Sequence, residues 1–394
     1  MRKLFPRTEY SRHAAIEMMQ PYTIAVVAGA RPNFMKITPI VRALNALKRE
    51  AAAAYIDLRV SIVHTGQHYD ENMSDIFFRE LAIPTPDHHL EVGSGSHAEQ
   101  TARIMIAFEK VLQKDRPDWV VVVGDVNSTI ACTLTAKKMG VKVAHVEAGL
   151  RSFDMTMPEE INRKLTDAIC DLLFVTEESG IRNLRAEGVA SEKIVLVGNV
   201  MIDNLMASLA RIDDGEFAPS ESVRTSCDGR RYAVLTLHRP SNVDRIEMLE
   251  PIWGALSEVG RHIPILFPVH PRTRAKIDAF GLNGTGISML DPVGHLEMLY
   301  AVRNAVVVLT DSGGLQEETT VLGVPCITIR ENTERPVTVD IGTNNMVGTD
   351  PEKIKAIAIE ILSGQGKKGA IPPLWDGNAA ERIADVFLTN TKVK

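Results

Sequence analysis

Short apolar runs without polar alternation recur along this chain, and most are followed by a segment of helical period. The first series falls at residues 22–28, 59–64, 119–124, 141–147, 172–176 and 194–198. A second falls at 232–238, 263–270, 286–290, 305–310 and 325–329. Runs of this kind, rich in Val, Ile and Leu, are expected of parallel strands covered on both faces. The intervening helical patterns, such as 98–112, 129–139, 246–259 and 296–302, supply the cover. Strand–helix–strand repetition predicts a doubly wound α/β fold.

The chain has 394 residues, too many for one ordinary core, so the two series predict two Rossmann-like domains. Between them, residues 211–230 are rich in charge, Ser, Gly and Pro and contain no strand pattern, with 204–210 still helical ahead of them. The expected division is an N-terminal extension at 1–21, a first domain at 22–198 and a second at 199–377. A polar stretch, 364–377, precedes a last amphipathic helix at 379–388. Open α/β sheets bind ligands at the carboxyl ends of their strands, so two facing halves predict a ligand in the groove between them.

Charge narrows the partners. Lys and Arg number 44 against 50 Asp and Glu, a net charge of −6, with no basic block. Such a chain lacks the electrostatic footprint of a nucleic-acid or anionic-membrane binder. No apolar run reaches the roughly 20 residues of a membrane span. The first 21 residues carry Arg2, Lys3, Arg7, Glu9, Arg12, His13 and Glu17 without a continuous apolar core, which does not read as a secretory signal. Cys132, Cys170, Cys227 and Cys326 show no paired spacing and read as buried, reduced thiols of a cytoplasmic protein.

The strand ends hold the chemistry. The first run ends in Gly29-Ala30-Arg31-Pro32-Asn33-Phe34-Met35-Lys36, where backbone N–H groups at a helix start, beside Arg31 and Lys36, suggest an anion cradle. The spacing is neither the dinucleotide G-x-G-x-x-G nor a Walker loop. Asp125 follows the third run and Glu147 lies at the end of the fourth, with Glu159-Glu160 behind Pro158 at a helix start. Carboxylates converging on one face suit acid/base work, because burial and like charge raise their pKa toward neutrality. In the second half, His238 and His270 follow neighbouring runs. No third ligand has a supporting spacing, so a proton-donor or phosphate-binding role is favoured over metal. Thr310-Asp311-Ser312-Gly313-Gly314-Leu315-Gln316-Glu317-Glu318 reads as a strand, a glycine turn and a helix start. Ser312 is expected to cap that helix, its free N–H groups to hold a diphosphate, and Glu318 to take a ribose diol. Arg330 follows the next run.

Taken in order, Gly29–Lys36, Gly66-Gln67-His68, Gly124-Asp125, His145–Arg151, Pro158–Arg163, His238-Arg239, His270-Pro271, Asp311–Glu318 and Thr333–Pro336 resemble the motifs of the non-hydrolysing UDP-N-acetylglucosamine 2-epimerases. The resemblance runs from about Thr23 to the C-terminus. It implies a glycosyltransferase-B-like fold with the active site in the interdomain cleft and the last helix, 378–394, returning to the first domain. It also implies interconversion of UDP-GlcNAc and UDP-ManNAc without NAD or metal, through elimination of UDP to a 2-acetamidoglucal and re-addition. A homodimer built on first-domain helices is part of the same expectation, and residues 104–111 are apolar enough to contribute.

Residue by residue, the resemblance makes Asp125, Glu147 and Glu159 the acid/base carboxylates and puts His238 near the diphosphate. It assigns Arg31, Lys36, His270, Ser312, Gly313, Gly314, Glu318 and Arg330 to the UDP-sugar, with Val293 and Met298 beside the uracil. Gln67, His68 and Arg151 match a second, allosteric UDP-GlcNAc site. Two positions depart from the pattern. Asn33 stands where many members have Glu, and Tyr69-Asp70 replace the usual Arg and Gln of the allosteric motif. Competing readings are an epimerase of a 2,3-diacetamido uronate sugar, a hydrolysing epimerase, a glycosyltransferase sharing the fold, and a silent UDP-sugar sensor.

Overall fold

The computed structural model describes residues 20–54, 56–66 and 85–391. They divide into two compact units, one made of the residues up to Val200 together with those from Asn378 onward, the other of Met201–Gly377.

The first unit is built on seven strands: β1 (Gln20–Ala28), β2 (Ile56–His64), β3 (His88–His89), β4 (Trp119–Val123), β5 (Lys142–Ala148), β6 (Leu172–Val175) and β7 (Ile194–Leu196). Their spatial order is β3-β2-β1-β4-β5-β6-β7, and every pairing is parallel. Every residue of β4 is buried, as its unbroken Trp-Val-Val-Val-Val requires. The helices that matter for the site are α1 (Arg31–Ala46), α2 (His97–Asp115), α3 (Asn127–Lys138) and α4 (Pro158–Ile169). Ile104, Phe108 and Leu112 of α2 join the strands in one core cluster, while Ile106 faces out. The C-terminal helix, Ala379–Thr391, belongs to this unit. Its Phe387 meets Trp119 and Phe174 edge-on, at centroid distances of 5.5 and 5.7 Å. Arg382 donates to the Val197 carbonyl at 2.9 Å.

The second unit repeats the plan with β8 (Ala233–Thr236), β9 (Ile265–Pro268), β10 (Ile287–Leu290), β11 (Val307–Thr310), β12 (Cys326–Thr328) and β13 (Asn344–Met346). The order is β10-β9-β8-β11-β12-β13, again all parallel. Helices α5 (Pro271–Ala279) and α6 (Gly313–Leu322) follow β9 and β11. The four cysteines are all buried and unpaired. Among the described residues, no helix is long and apolar enough to cross a membrane.

Two strands have no counterpart in the apolar pattern. β3 is a two-residue edge strand of histidines, and β13 is Asn-Asn-Met beside β12. Each is specified by backbone pairing to a neighbouring strand, which leaves no hydrophobic signature. The polar stretch 211–230 forms no strand. It holds the end of helix Val200–Asp213 and a short helix, Glu221–Cys227, whose Val223 and Cys227 are buried four residues apart.

Candidate functional site

In both sheets the strand order reverses between the first strand and its neighbour, β1 beside β4 and β8 beside β11. The crevice at such a switch point is where ligands enter doubly wound folds. The loops flanking it are 29–30 and 124–126 in the first unit, and 237–239 and 311–312 in the second.

In the first unit, Gly124 is the hub. It lies in the left-handed region (φ +67°), and a Cβ there would stand 3.1 Å from Lys36 Nζ and 3.7 Å from Glu147 Oε2. Lys36 and Glu147 are themselves ion-paired. Glu147 is buried, and its φ of 70° puts a non-glycine residue in the left-handed region, at a cost of about 1–2 kcal/mol. The register of β5 against β6 shifts between Val146 and Ala148, so Glu147 is a bulge residue. Bulges of this kind re-aim a side chain, and strain held in the backbone gathers at functional positions.

Asp125 follows directly. Its Oδ2 takes a 2.5 Å ion pair from Arg163, whose other arm reaches Glu160 at 2.9 Å. Its carbonyl accepts from Asn162 at 2.8 Å. These partners come from α4, which buries Glu160, Asn162, Arg163, Thr166 and Asp167 and leaves Ile161 and Leu165 exposed. A helix that turns its polar face inward departs from ordinary amphipathic packing, so that face is built to hold charge. Glu160 is nearly fully buried and accepts from Ser152 and Phe153 backbone N–H groups, which makes it a structural carboxylate. Glu159, next to it, is half-buried and makes no hydrogen bond or ion pair among the described residues.

Beneath Gly124 lies a second layer. His145 is fully buried, its Nε2 2.8 Å from the Gly124 carbonyl and its Nδ1 2.6 Å from Asp167. A carbonyl only accepts, so Nε2 carries a proton and the Nδ1–carboxylate contact shares another. Asp167 also takes Arg151 at 2.8 Å and the Gly149 N–H at 3.0 Å. Burial works against ionising Asp167, but His145, Arg151 and that N–H outweigh it and hold the carboxyl below its ordinary range.

Two expectations change here. In the anion cradle expected after β1, two N–H groups are already taken, because Asn33 Oδ1 accepts from Gly29 and Ala30 at 3.1 and 2.8 Å. Lys36 faces Glu147. Asn33 therefore caps α1 from within the helix, which accounts for an amide at that position. Arg151, matched to an allosteric motif, has its guanidinium buried against Asp167, Glu187 and the Leu150 carbonyl. Gln67 and His68 lie outside the described residues, as does the side chain of Arg31, the first residue of α1.

In the second unit, His238 and Asp311 meet across the switch point, with Nδ1 2.8 Å from Oδ1. The glycine turn behind Asp311 is open. A Cβ on Gly314 would meet nothing within 4 Å, and one on Gly313 only Arg330 Nη1 at 3.9 Å. Ser312 occupies the N-cap position of α6, but its hydroxyl makes no capping bond, contrary to expectation. Its backbone N–H donates to Thr310 Oγ1 at 2.9 Å instead. Uncapped N–H groups at a helix start remain available to an anion.

Arg330, buried, is gripped by Glu334 at 3.0 and 3.2 Å. Burial alone would raise the Glu334 carboxyl, but the paired guanidinium overrides it and holds the value near about 2. Glu318 is buried without a hydrogen bond among the described residues. Burial and then the charge of Glu317 push its pKa up to about 8. Val293 and Met298 are half-buried at the edge of one core cluster. His270 sits apart in role, capping α5 by accepting from the Arg272 N–H at 3.2 Å. Among the described residues, no group of three or more His, Cys, Asp or Glu side chains is arranged to hold a metal ion.

Arg163, His145, Asp167 and Asp311 carry no assignment from the motifs alone. A sequence signal for α4 does exist, since Glu160, Arg163 and Asp167 follow the i, i+3, i+7 spacing of one helix face.

Two parallel-sheet units, each gathering charged side chains at the strand ends beside its switch point, with open N–H groups at the glycine turn of the second, define an α/β enzyme of the nucleotide-binding class. Comparison with known proteins narrows this. The family profile for UDP-N-acetylglucosamine 2-epimerase matches residues 50–388. The chain is 40% identical over 378 residues to the UDP-N-acetylglucosamine 2-epimerase of Methanococcus maripaludis, covering 94% of this chain and 100% of that one. It is 42% identical over 365 residues to the UDP-2,3-diacetamido-2,3-dideoxy-D-glucuronate 2-epimerase of Pseudomonas aeruginosa, covering 92% and 98%. The crystal structure of the Methanocaldococcus jannaschii UDP-GlcNAc 2-epimerase in complex with UDP-GlcNAc and UDP superposes with a TM-score of 0.79 at 42% identity, covering 93% and 99%. The chain belongs to the UDP-N-acetylglucosamine 2-epimerase family, a family of isomerases with a glycosyltransferase-B-like fold.

Proposed function

We propose that this protein interconverts UDP-GlcNAc and UDP-ManNAc by inverting C2. A carboxylate of the set Asp125, Glu147 and Glu159 removes the C2 proton. The C2–H electron pair becomes the C1–C2 double bond as the C1–O bond breaks, and UDP departs carrying the C1–O bonding pair. The 2-acetamidoglucal then accepts UDP at C1 and a proton at the opposite face of C2. Ser312, Gly313 and Gly314, with Arg330 and His238, hold the diphosphate, where charge grows as the bond breaks. Glu318 takes the ribose hydroxyls, and Val293 and Met298 border the base.

The observation that carries this reading is the pairing of Asp125 with Arg163 and of Glu147 with Lys36 around Gly124. Two carboxylates, one just beyond β4 and one at the end of the adjacent β5, each held by its own cation, are two groups that an inversion can use at opposite faces of one carbon. The test is turnover of UDP-GlcNAc in D2O followed by NMR. Deuterium at C2 together with UDP-ManNAc is expected. Binding of UDP with neither product would reject the proposal.

A second reading stands beside it, because identity to the diacetamido-glucuronate epimerase, 42%, lies between the 40% and 44% to two UDP-GlcNAc 2-epimerases. Turnover of a UDP-sugar panel, with products separated into nucleotide sugar and free sugar, decides between the two substrates and excludes or reveals hydrolysis. A cytoplasmic homodimer completes the proposal, to be checked by the mass of the purified protein in solution.

A further inference from the structure

We infer that Asp311 is a positioning residue for His238, fixing which imidazole nitrogen is offered to the diphosphate. The role at the diphosphate rests on the function proposed above. The close ion-pair contact between the two side chains does not.

The arrangement follows from topology. β8 and β11 are neighbours in register, Thr236 opposite Thr310, so His238 and Asp311 leave adjacent strands at the same end of the sheet. The Asp311 side chain is fully buried, while that of His238 is 51% exposed. Asp311 Oδ2 accepts three N–H groups: the backbone of His238 at 2.9 Å, the backbone of Arg239 at 2.7 Å and Asn242 Nδ2 at 3.3 Å. Its Oδ1, which takes none of these hydrogen bonds, lies in ion-pair contact with His238 Nδ1 at 2.8 Å. The Asp311 carbonyl accepts from Arg239 Nε at 2.9 Å, and Asn242 is itself anchored on the Ile329 carbonyl at 3.0 Å.

An oxygen loaded with three donors belongs to a carboxylate that accepts only. Burial opposes ionisation of Asp311, yet the His238 contact and the two backbone N–H groups hold its carboxyl below the ordinary range. With a pure acceptor at Oδ1, the proton of the neutral ring must sit on Nδ1. Nε2 then points away from Asp311 and makes no hydrogen bond among the described residues. When the ring carries both protons, Nδ1–H is turned to the Asp311 carboxylate and Nε2–H is the donor left for a phosphate oxygen. Asp311 also precedes Ser312-Gly313-Gly314 directly, so one residue ties the histidine loop to the turn proposed to hold the diphosphate.

The geometry makes Asp311→Asn specific. The amide oxygen must stay where the three donors converge, which turns the amide NH2 toward His238 Nδ1. Donor would meet donor, and the neutral ring must move its proton to Nε2. Carboxylates fix the tautomer of catalytic histidines elsewhere in this way, and an amide gives the wrong one.

The experiment uses the full-length protein labelled with 15N at histidine, with the His238 signals assigned by their loss in His238→Gln. In the wild-type protein the neutral His238 ring is expected to be protonated at Nδ1. In Asp311→Asn the proton is expected at Nε2, and kcat for UDP-GlcNAc should fall by about a hundredfold with KM near the wild-type value. A wild-type ring protonated at Nε2 overturns the inference whatever the variant does, and so does an Asp311→Asn enzyme with unchanged kcat. Nδ1 protonation that reverts in the variant, in a protein that turns over no UDP-GlcNAc, would support the positioning of His238 and reject the proposed reaction.

Discussion

Lys36 and Glu147 form an ion pair from two elements far apart in the chain, the first turns of α1 and the bulge that ends β5. The glutamate is 3% exposed and the lysine 14%. Removing one partner of such a pair leaves a buried charge uncompensated. Lys36→Met is therefore expected to lower stability by about 3 kcal/mol in urea unfolding. Lys36→Met combined with Glu147→Gln should recover part of that loss. Equal midpoints for Lys36→Met and the wild-type protein would show that the pair adds nothing to stability.

Asp125 carries the sharpest activity prediction. Asp125→Asn preserves the side-chain shape and an acceptor for Arg163, but removes a proton-transfer group. The expected result is a fall in C2 deuterium exchange of at least about a hundredfold, with UDP binding by calorimetry retained. Wild-type exchange in this variant would take Asp125 out of the chemistry.

Arg151 tests structure against ligand binding. Its side chain is fully buried and engages Asp167 and Glu187. Arg151→Met should cost about 3–5 kcal/mol of stability, measured by denaturant unfolding in the absence of any ligand. A residue whose work is to contact a ligand would leave the free protein's unfolding midpoint where it was.

Glu318 gives a pH dependence with a definite sign. Its folded-state pKa is pushed from 4.5 up to about 8, first by burial and then by Glu317. The folded protein thus holds this proton more tightly than the unfolded chain. Its contribution to stability is fully present below about 4.5 and is lost as pH rises through about 8. Glu318→Gln keeps a neutral side chain at every pH. The melting temperature of Glu318→Gln relative to wild type should therefore climb between those values, while its affinity for UDP falls. A constant difference across that range would contradict the raised pKa.

Asn33 offers a local test. Asn33→Ala removes the acceptor for the Gly29 and Ala30 N–H groups and should cost about 1 kcal/mol by thermal or urea unfolding. Unchanged stability would mean that these groups find equivalent partners without it.

The alternation of apolar runs and helical segments was enough to specify α/β architecture, because a strand buried on both faces must be apolar along its length. It also located the long helices and the strand ends at which Asp125, Glu147, His238 and Ser312 lie. The short edge strands β3 and β13 were illegible, since two histidines or Asn-Asn-Met become strands only through hydrogen bonds to a neighbour. The partners of the site were equally hidden. Arg163 stands 38 positions from Asp125, and Asp311 is 72 from Arg239.

Local sequence thus determined which residues could carry chemistry: a carboxylate after a strand, a glycine turn before a helix, a histidine at a strand end. Tertiary structure alone decided what state those residues are in. It tied the Gly29 and Ala30 N–H groups to Asn33, buried Arg151, set Lys36 against Glu147 and turned His238 Nδ1 toward Asp311. The reason is physical. Periodicity is a property of neighbours along the chain, whereas ionisation, tautomer and free hydrogen-bonding capacity depend on burial and on charges brought close from distant positions.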